Sequence, residues 1–208
     1  MIHLRTIDPP WDADTGGGGR GANEHYNLHG VDGIAAVIRM SPQWSDVDPM
    51  LTFLWATVGA VHSGDAFALA SRLNLRICAG FVWAKVDEVG VLRGTEIFSA
   101  PSKQGIGQWT RCEHEHLFVC RRGDMHVPTT NDRQRSTIFA ERGEHSAKPE
   151  KAWRVIERTA SSVLRKQEPL SAIEIFARSR RPRWGAFGTL DGPDQPPRFD
   201  PAQERWFP

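Results

Sequence analysis

This chain is poor in several things, and each shortage narrows what it does. Among 208 residues there are three cysteines, Cys78, Cys112 and Cys120, in odd number and without CxxC spacing. That argues against a disulfide framework and for a reducing, cytoplasmic setting. No apolar run approaches the roughly 20 residues that span a bilayer, so no membrane partner is expected. The amino terminus lacks the basic-then-apolar pattern of a signal peptide. Net charge is only +1, which excludes a polycation, although arginines cluster locally at 121–122, 133–135 and 178–183, where they could meet phosphates or simply be solvated. The Gly16–Gly19 run is not followed by Gly-Lys-Ser/Thr and is no nucleotide-cradling loop; it suits a flexible loop that gates a substrate. Tyrosine occurs once, at Tyr26, whereas there are eight tryptophans, most of them expected in the core.

What is present suits one globular unit. The chain is 39% hydrophobic and 25% charged, enough for a core with a soluble surface. Strand-like and helix-like segments alternate. Residues 1–7, 50–56, 76–85, 116–121 and 172–177 read as strands. Residues 31–40, about 64–73 (with Ser63 as N-cap) and about 149–160 (with Pro149 in the first turn) read as helices. Continuous apolar strands between helices predict a sheet covered on both faces, hence an α/β fold. Its ligands would sit at the carboxyl ends of strands. A single domain over 1–190 and a proline-rich tail over 191–208 complete the expected organisation.

Asp8-Pro9-Pro10-Trp11 lies at one such strand end. Adenine's exocyclic amine is a weak nucleophile because its lone pair is conjugated into the ring. An acceptor for each N–H draws the nitrogen toward tetrahedral geometry and frees that pair. Asp8 offers a carboxylate and Pro9 a carbonyl. The two prolines fix φ and so hold both acceptors in place. Trp11 offers a ring on which an extruded base can stack. The same four residues also suit an ordinary proline-rich turn.

Further segments decide between these readings. Gly19-Arg20-Gly21-Ala22-Asn23-Glu24-His25-Tyr26, Thr52-Phe53-Leu54-Trp55, Gly80-Phe81-Val82-Trp83-Ala84-Lys85, Gln108-Trp109-Thr110-Arg111, Glu113 to Val119, Ile138-Phe139-Ala140, His145 to Pro149, Ile173 to Arg178, Arg181 to Trp184 and Gly188 follow the motif in order. Together with the motif they resemble the DPPW-type N6-adenine methyltransferases. This is the family of the seventy-kilodalton catalytic subunit of the eukaryotic mRNA methyltransferase, and the chain is most similar to its short stand-alone bacterial and phage members.

The resemblance implies a Rossmann-like fold that uses S-adenosylmethionine, with a permuted order in which catalytic residues come first and the cofactor strand last. It implies Asp8, Pro9, Pro10 and Trp11 at the target amine, and Tyr26, Lys148, Phe176, Arg178 and Thr189 around the cofactor. Thr189 stands where the family carries asparagine, keeping a hydroxyl and losing the amide. The partner expected is nucleic acid, DNA ahead of RNA, with a homo- or hetero-dimer as a further expectation. An RNA methyltransferase and a non-catalytic nucleic-acid-binding paralogue are the alternatives. Cys112, His114 and His116 alternate along a strand, but a zinc site needs about four ligands and no fourth is evident; no metal is expected.

Overall fold

The computed structural model describes residues 4–11, 30–41, 44, 49–87, 110–143, 147–165, 172–177 and 181–187, together with the backbone of four short strands at 89–92, 95–98, 198–200 and 205–207. Strand β1 (Leu4–Ile7) is followed by helix α1 (Gly30–Met40), β2 (Met50–Thr57), α2 (Val58–His62), α3 (Asp65–Arg72) and β3 (Arg76–Val86). Next come β4 (Val89–Leu92), β5 (Thr95–Phe98), β6 (His114–Arg122), β7 (Thr137–Glu141), helix α4 (Glu150–Val163), β8 (Ala172–Ile175) and β9 (Trp184–Phe187). The strands β10 (Arg198–Asp200) and β11 (Arg205–Phe207) end the series.

Seven strands form one mixed sheet in the order β7-β3-β6-β2-β1-β8-β9. The pairs β1·β2, β1·β8, β8·β9 and β3·β7 are parallel, while β6 runs antiparallel between β2 and β3. The fold is therefore α/β, as the alternating pattern predicts, and Rossmann-like, as the resemblance implies. Because β6 is reversed, its first residues lie level with the carboxyl ends of β1, β2 and β3: Glu115 is in register with both Thr57 and Trp83.

Two apolar layers flank the sheet. Residues 50–56 of β2 are all buried, which is why that segment reads as continuously apolar: both its faces are covered. On one face, α1 and α3 pack Ile34, Val37, Ile38 and Leu69 over Ile7, Leu54, Ile173 and Ile175. On the other, α4 packs Trp153, Ile156, Ala160 and Val163 over Leu4, Phe53, Trp55, Trp83 and Leu117. The buried positions of α4, Ala152, Trp153, Ile156, Thr159, Ala160 and Val163, recur at helical intervals.

Several boundaries differ from expectation for local reasons. Pro149 is the N-cap of α4 rather than a residue of its first turn. Ser63 does not cap α3; the cap is Gly64, at φ 88°, while the Ser63 hydroxyl donates to Asp65 Oδ2 at 2.8 Å. Thr57 instead caps α2, its hydroxyl accepting from the Ala60 N–H at 3.2 Å. Within the stretch expected to be an extended tail, β10 and β11 pair as an antiparallel ladder.

Candidate active site

The site forms where β1 ends. The Asp8 N–H donates to the Ile175 carbonyl at 3.2 Å, and the Trp11 N–H donates to the Pro9 carbonyl at 2.9 Å. The Trp11 indole N–H reaches the Trp55 carbonyl at 2.9 Å. Two prolines with fixed φ and three hydrogen bonds thus leave the tetrapeptide little freedom. Pro9 and Pro10 are buried. The Pro9 carbonyl spends one lone pair on Trp11 and retains the other.

Trp11 departs from expectation. Its ring is 6% exposed and belongs to the core beneath α1. Its one N–H is spent inside the fold, so in this conformation it anchors the turn instead of offering an open stacking face.

Asp8 faces a cation drawn from 140 residues further along the chain. Lys148 Nζ lies 3.0 Å from Asp8 Oδ1 and 2.9 Å from Glu115 Oε2. Glu115 Oε1 lies 2.6 Å from Lys85 Nζ. The row Asp8–Lys148–Glu115–Lys85 alternates in sign and sums to zero. Its side chains are only 11%, 8%, 9% and 14% exposed, so water screens these charges little.

Burial would raise the Glu115 carboxyl, but the charges of Lys148 and Lys85 outweigh it and hold the group below the usual carboxylate value. Burial would likewise lower the Lys148 ammonium. The charges of Asp8 and Glu115 overcome that and hold it above the ordinary lysine value. Beneath the row lie Trp55 and Trp83, edge to face with centroids 6.2 Å apart. Each carries a lysine nitrogen 5.1 Å from its centroid: Lys148 over Trp55 and Lys85 over Trp83. Both tryptophans are core, as expected.

Glu115 and Lys85 were given no role in the sequence, although strand parity carries a signal. Glu115 shares its face of β6 with Leu117 and Val119, and Lys85 shares its face of β3 with Phe81 and Trp83, all of them buried. A charge at a core-facing strand position requires a buried partner.

Beside Lys148, a cleft of about 510 Å³ opens between β7 and the start of α4, lined by residues that include Phe139, Glu141, Arg142, Lys148, Glu150 and Lys151. That volume falls within the roughly 300–1,000 Å³ of small-molecule sites. Its lining carries both signs of charge, Glu141 and Glu150 beside Arg142, Lys148 and Lys151.

Phe176 lies just past β8 with φ at 63°, a region bulky residues rarely adopt. It is 2% exposed, and its N–H bonds to the Phe187 carbonyl at 2.8 Å. The strained turn holds the end of β8 beside Asp8. Tyr26, Arg178 and Thr189 lie outside the described residues, as does the Gly16–Gly19 run. Of the arginines read as phosphate contacts, Arg122 is buried and lies 5.8 Å from the Trp44 centroid, and Arg121 bonds the Gly123 carbonyl and Asp124.

A mixed seven-stranded α/β sheet with an acidic turn at the carboxyl end of its first strand defines the class, a Rossmann-like fold. The model of the MT-A70 family matches residues 4–190, and the chain belongs to that family. No curated protein matches the chain. MT-A70 methyltransferases take their methyl group from S-adenosylmethionine and act on the N6 amine of adenine. No helix among the described residues is long and apolar enough to cross a membrane.

Proposed function

We propose that the chain is an N6-adenine methyltransferase acting on DNA, with residues 1–190 as its catalytic unit. The observation that carries this is the placement of Asp8: a carboxylate at a strand's carboxyl end, backed by a rigid di-proline turn, with one oxygen held by Lys148 and the other left for a substrate. Bound S-adenosylmethionine supplies an electrophilic methyl carbon on a sulfonium. Lys148, Phe176, Arg178, Thr189 and Tyr26 are the residues we assign to its binding, with the mixed-charge cleft beside Lys148 as the place for its amino-acid end.

The Asp8 carboxylate and the remaining lone pair of the Pro9 carbonyl accept the two N–H groups of a flipped adenine, freeing the nitrogen lone pair for attack. The new N–C bond forms as the S–C bond breaks, and one N–H proton leaves toward Asp8. Pro10 keeps the acceptors fixed. Trp11 holds the turn through Trp55.

The choice of DNA rests on the likeness to short bacterial and phage members. The test is transfer of labelled methyl groups to matched DNA and RNA oligonucleotides, with mass analysis of the nucleosides. N6-methyladenine in DNA is expected, and its loss in Asp8→Ala. Label confined to RNA overturns the substrate, and undiminished transfer by Asp8→Ala overturns the site.

A further inference from the structure

The far end of the buried ion row has no role in the chemistry above. Lys85 is borne on β3, its Nζ does not reach Asp8, and its acidic partner is Glu115. Yet it is the group that keeps Glu115 from making an exclusive claim on Lys148. With Lys85 present, Glu115 divides its two oxygens between two lysines, and Lys148 divides its protons between Glu115 and Asp8. Without Lys85, two carboxylates compete for one ammonium in a site that water barely reaches. Lys148 then moves toward Glu115, or a carboxyl takes up a proton, and in either case Asp8 loses its fixed direction.

We infer that Lys85 is a positioning residue for methyl transfer: it acts on Asp8 through Glu115 and Lys148, and sets the orientation of the carboxylate that accepts the amine. The inference rests on the methyl-transfer reading and extends it to a side chain that touches neither substrate nor cofactor. A displacement of about 1 Å at the reacting centre lowers turnover on the order of a hundredfold. Glu115 is faced by Lys85 from β3 and by Lys148 from the segment before α4. Asp8, after β1, faces Lys148 in turn, and Glu141, Arg142, Glu150 and Lys151 line the cleft beside that lysine. On β6 itself, His114 and His116 project from the other face by strand alternation.

Lys85→Met tests this in two ways. In turnover, kcat falls on the order of a hundredfold while the KM for S-adenosylmethionine changes little, and the acid limb of the pH profile moves to higher pH because a cation beside a carboxyl has been removed. Lys85→Arg, which keeps the charge, restores both. The double variant Lys85→Met, Glu115→Gln returns the row to neutrality and brings the acid limb back. Independently of activity, carbon-13 titration of the Glu115 carboxyl shows its protonation point raised in Lys85→Met and recovered in Lys85→Arg.

If the wild-type protein transfers no methyl group to adenine, the functional reading fails, and the titration alone still decides the coupling along the row. An acid limb and a Glu115 titration unmoved by Lys85→Met overturn the inference. So does a loss of turnover in Lys85→Met that Lys85→Arg fails to repair. Should Lys85→Met not fold, Lys85→Gln carries the comparison: a raised Glu115 titration supports the coupling, and an unmoved one overturns it.

Discussion

Strand β6 serves two chemistries from its two faces. On one, Glu115 is 7% exposed and held by two lysines. On the other, its immediate neighbours His114 and His116 form a half-buried ladder, with ring centroids 5.1 Å apart, and His116 stacks on Phe118 at 5.9 Å. Burial, then the nearby His114 and His62, push the His116 imidazole below its ordinary value, so it stays neutral at neutral pH. The contrast teaches that ionisation here depends on partners more than on depth. Glu115 is the more deeply buried and stays charged because two cations meet it. His116 is the more exposed, yet burial lowers it, and its neighbours His114 and His62, being bases, add to that lowering instead of opposing it.

The largest effect should come from removing the shared cation. In Lys148→Met, Asp8 loses its cation and Glu115 keeps only Lys85, and breaking a buried ion pair costs about 3–5 kcal/mol. Urea denaturation should show that loss, and methyl transfer should vanish with it. A stability within about 0.5 kcal/mol of the wild type, the range of an uninvolved surface site, would mean that the row is not a folding element.

Acid should dismantle the same row. Glu115 is held below its ordinary value of 4.5, so the stability it contributes is present above that value and is lost as pH falls through its lower folded value. A thermal melting series down to about pH 3 should therefore steepen below pH 4.5. In Lys85→Met the steepening should be shallower, because a Glu115 value raised toward the unfolded one narrows the window over which stability is lost. The same slope in both proteins would separate Lys85 from Glu115.

How far the sequence foretells this depends on range. The buried face of α4 and the continuous apolar β2 depend on spacing along the chain, and both are read directly from it. The Asp8–Lys148 contact depends on β1 and the start of α4 meeting at one end of a sheet whose strand order is not the chain order. Resemblance to a family pointed to Lys148, but toward the cofactor; the structure adds that it binds the proposed catalytic acid. Glu115 and Lys85 were legible only as odd charges at core-parity positions, with nothing local to say that they answer each other. For Trp11, an aromatic ring beside a di-proline reads alike whether it faces solvent or core. Only the bond to Trp55, 44 residues away, decides.

A smaller effect belongs to the imidazole face. Because the folded His116 binds its proton less readily than the unfolded chain, its contribution is full above the ordinary value of 6.5 and declines as pH falls through that value. His116→Gln removes the titration and keeps a polar side chain of similar reach. The melting temperature at pH 8 should hardly move, and the shallow decline as pH falls through 6.5 should flatten while the steeper one below 4.5 persists. If His116→Gln moved the lower step as well, the two faces of β6 would be coupled, and the separation drawn between them would fail.

The finest test uses the far end of the same pair of strands. Cys120 on β6 is fully buried, and burial, with Cys78 adding to it, pushes its thiol up to about 12. Cys78 on β3 is exposed. The thiolate is the reactive form, so burial and the raised value both slow Cys120. A disulfide reagent at pH 8 should modify Cys78 first, then the partly exposed Cys112, and should reach Cys120 only when urea opens the sheet. Labelling of native Cys120 as fast as Cys78 would show that β6 separates from β3 without global unfolding. In that case the register that sets Glu115 beside Lys85 would itself be a fluctuating one, and the row would have to be reassembled in each catalytic cycle.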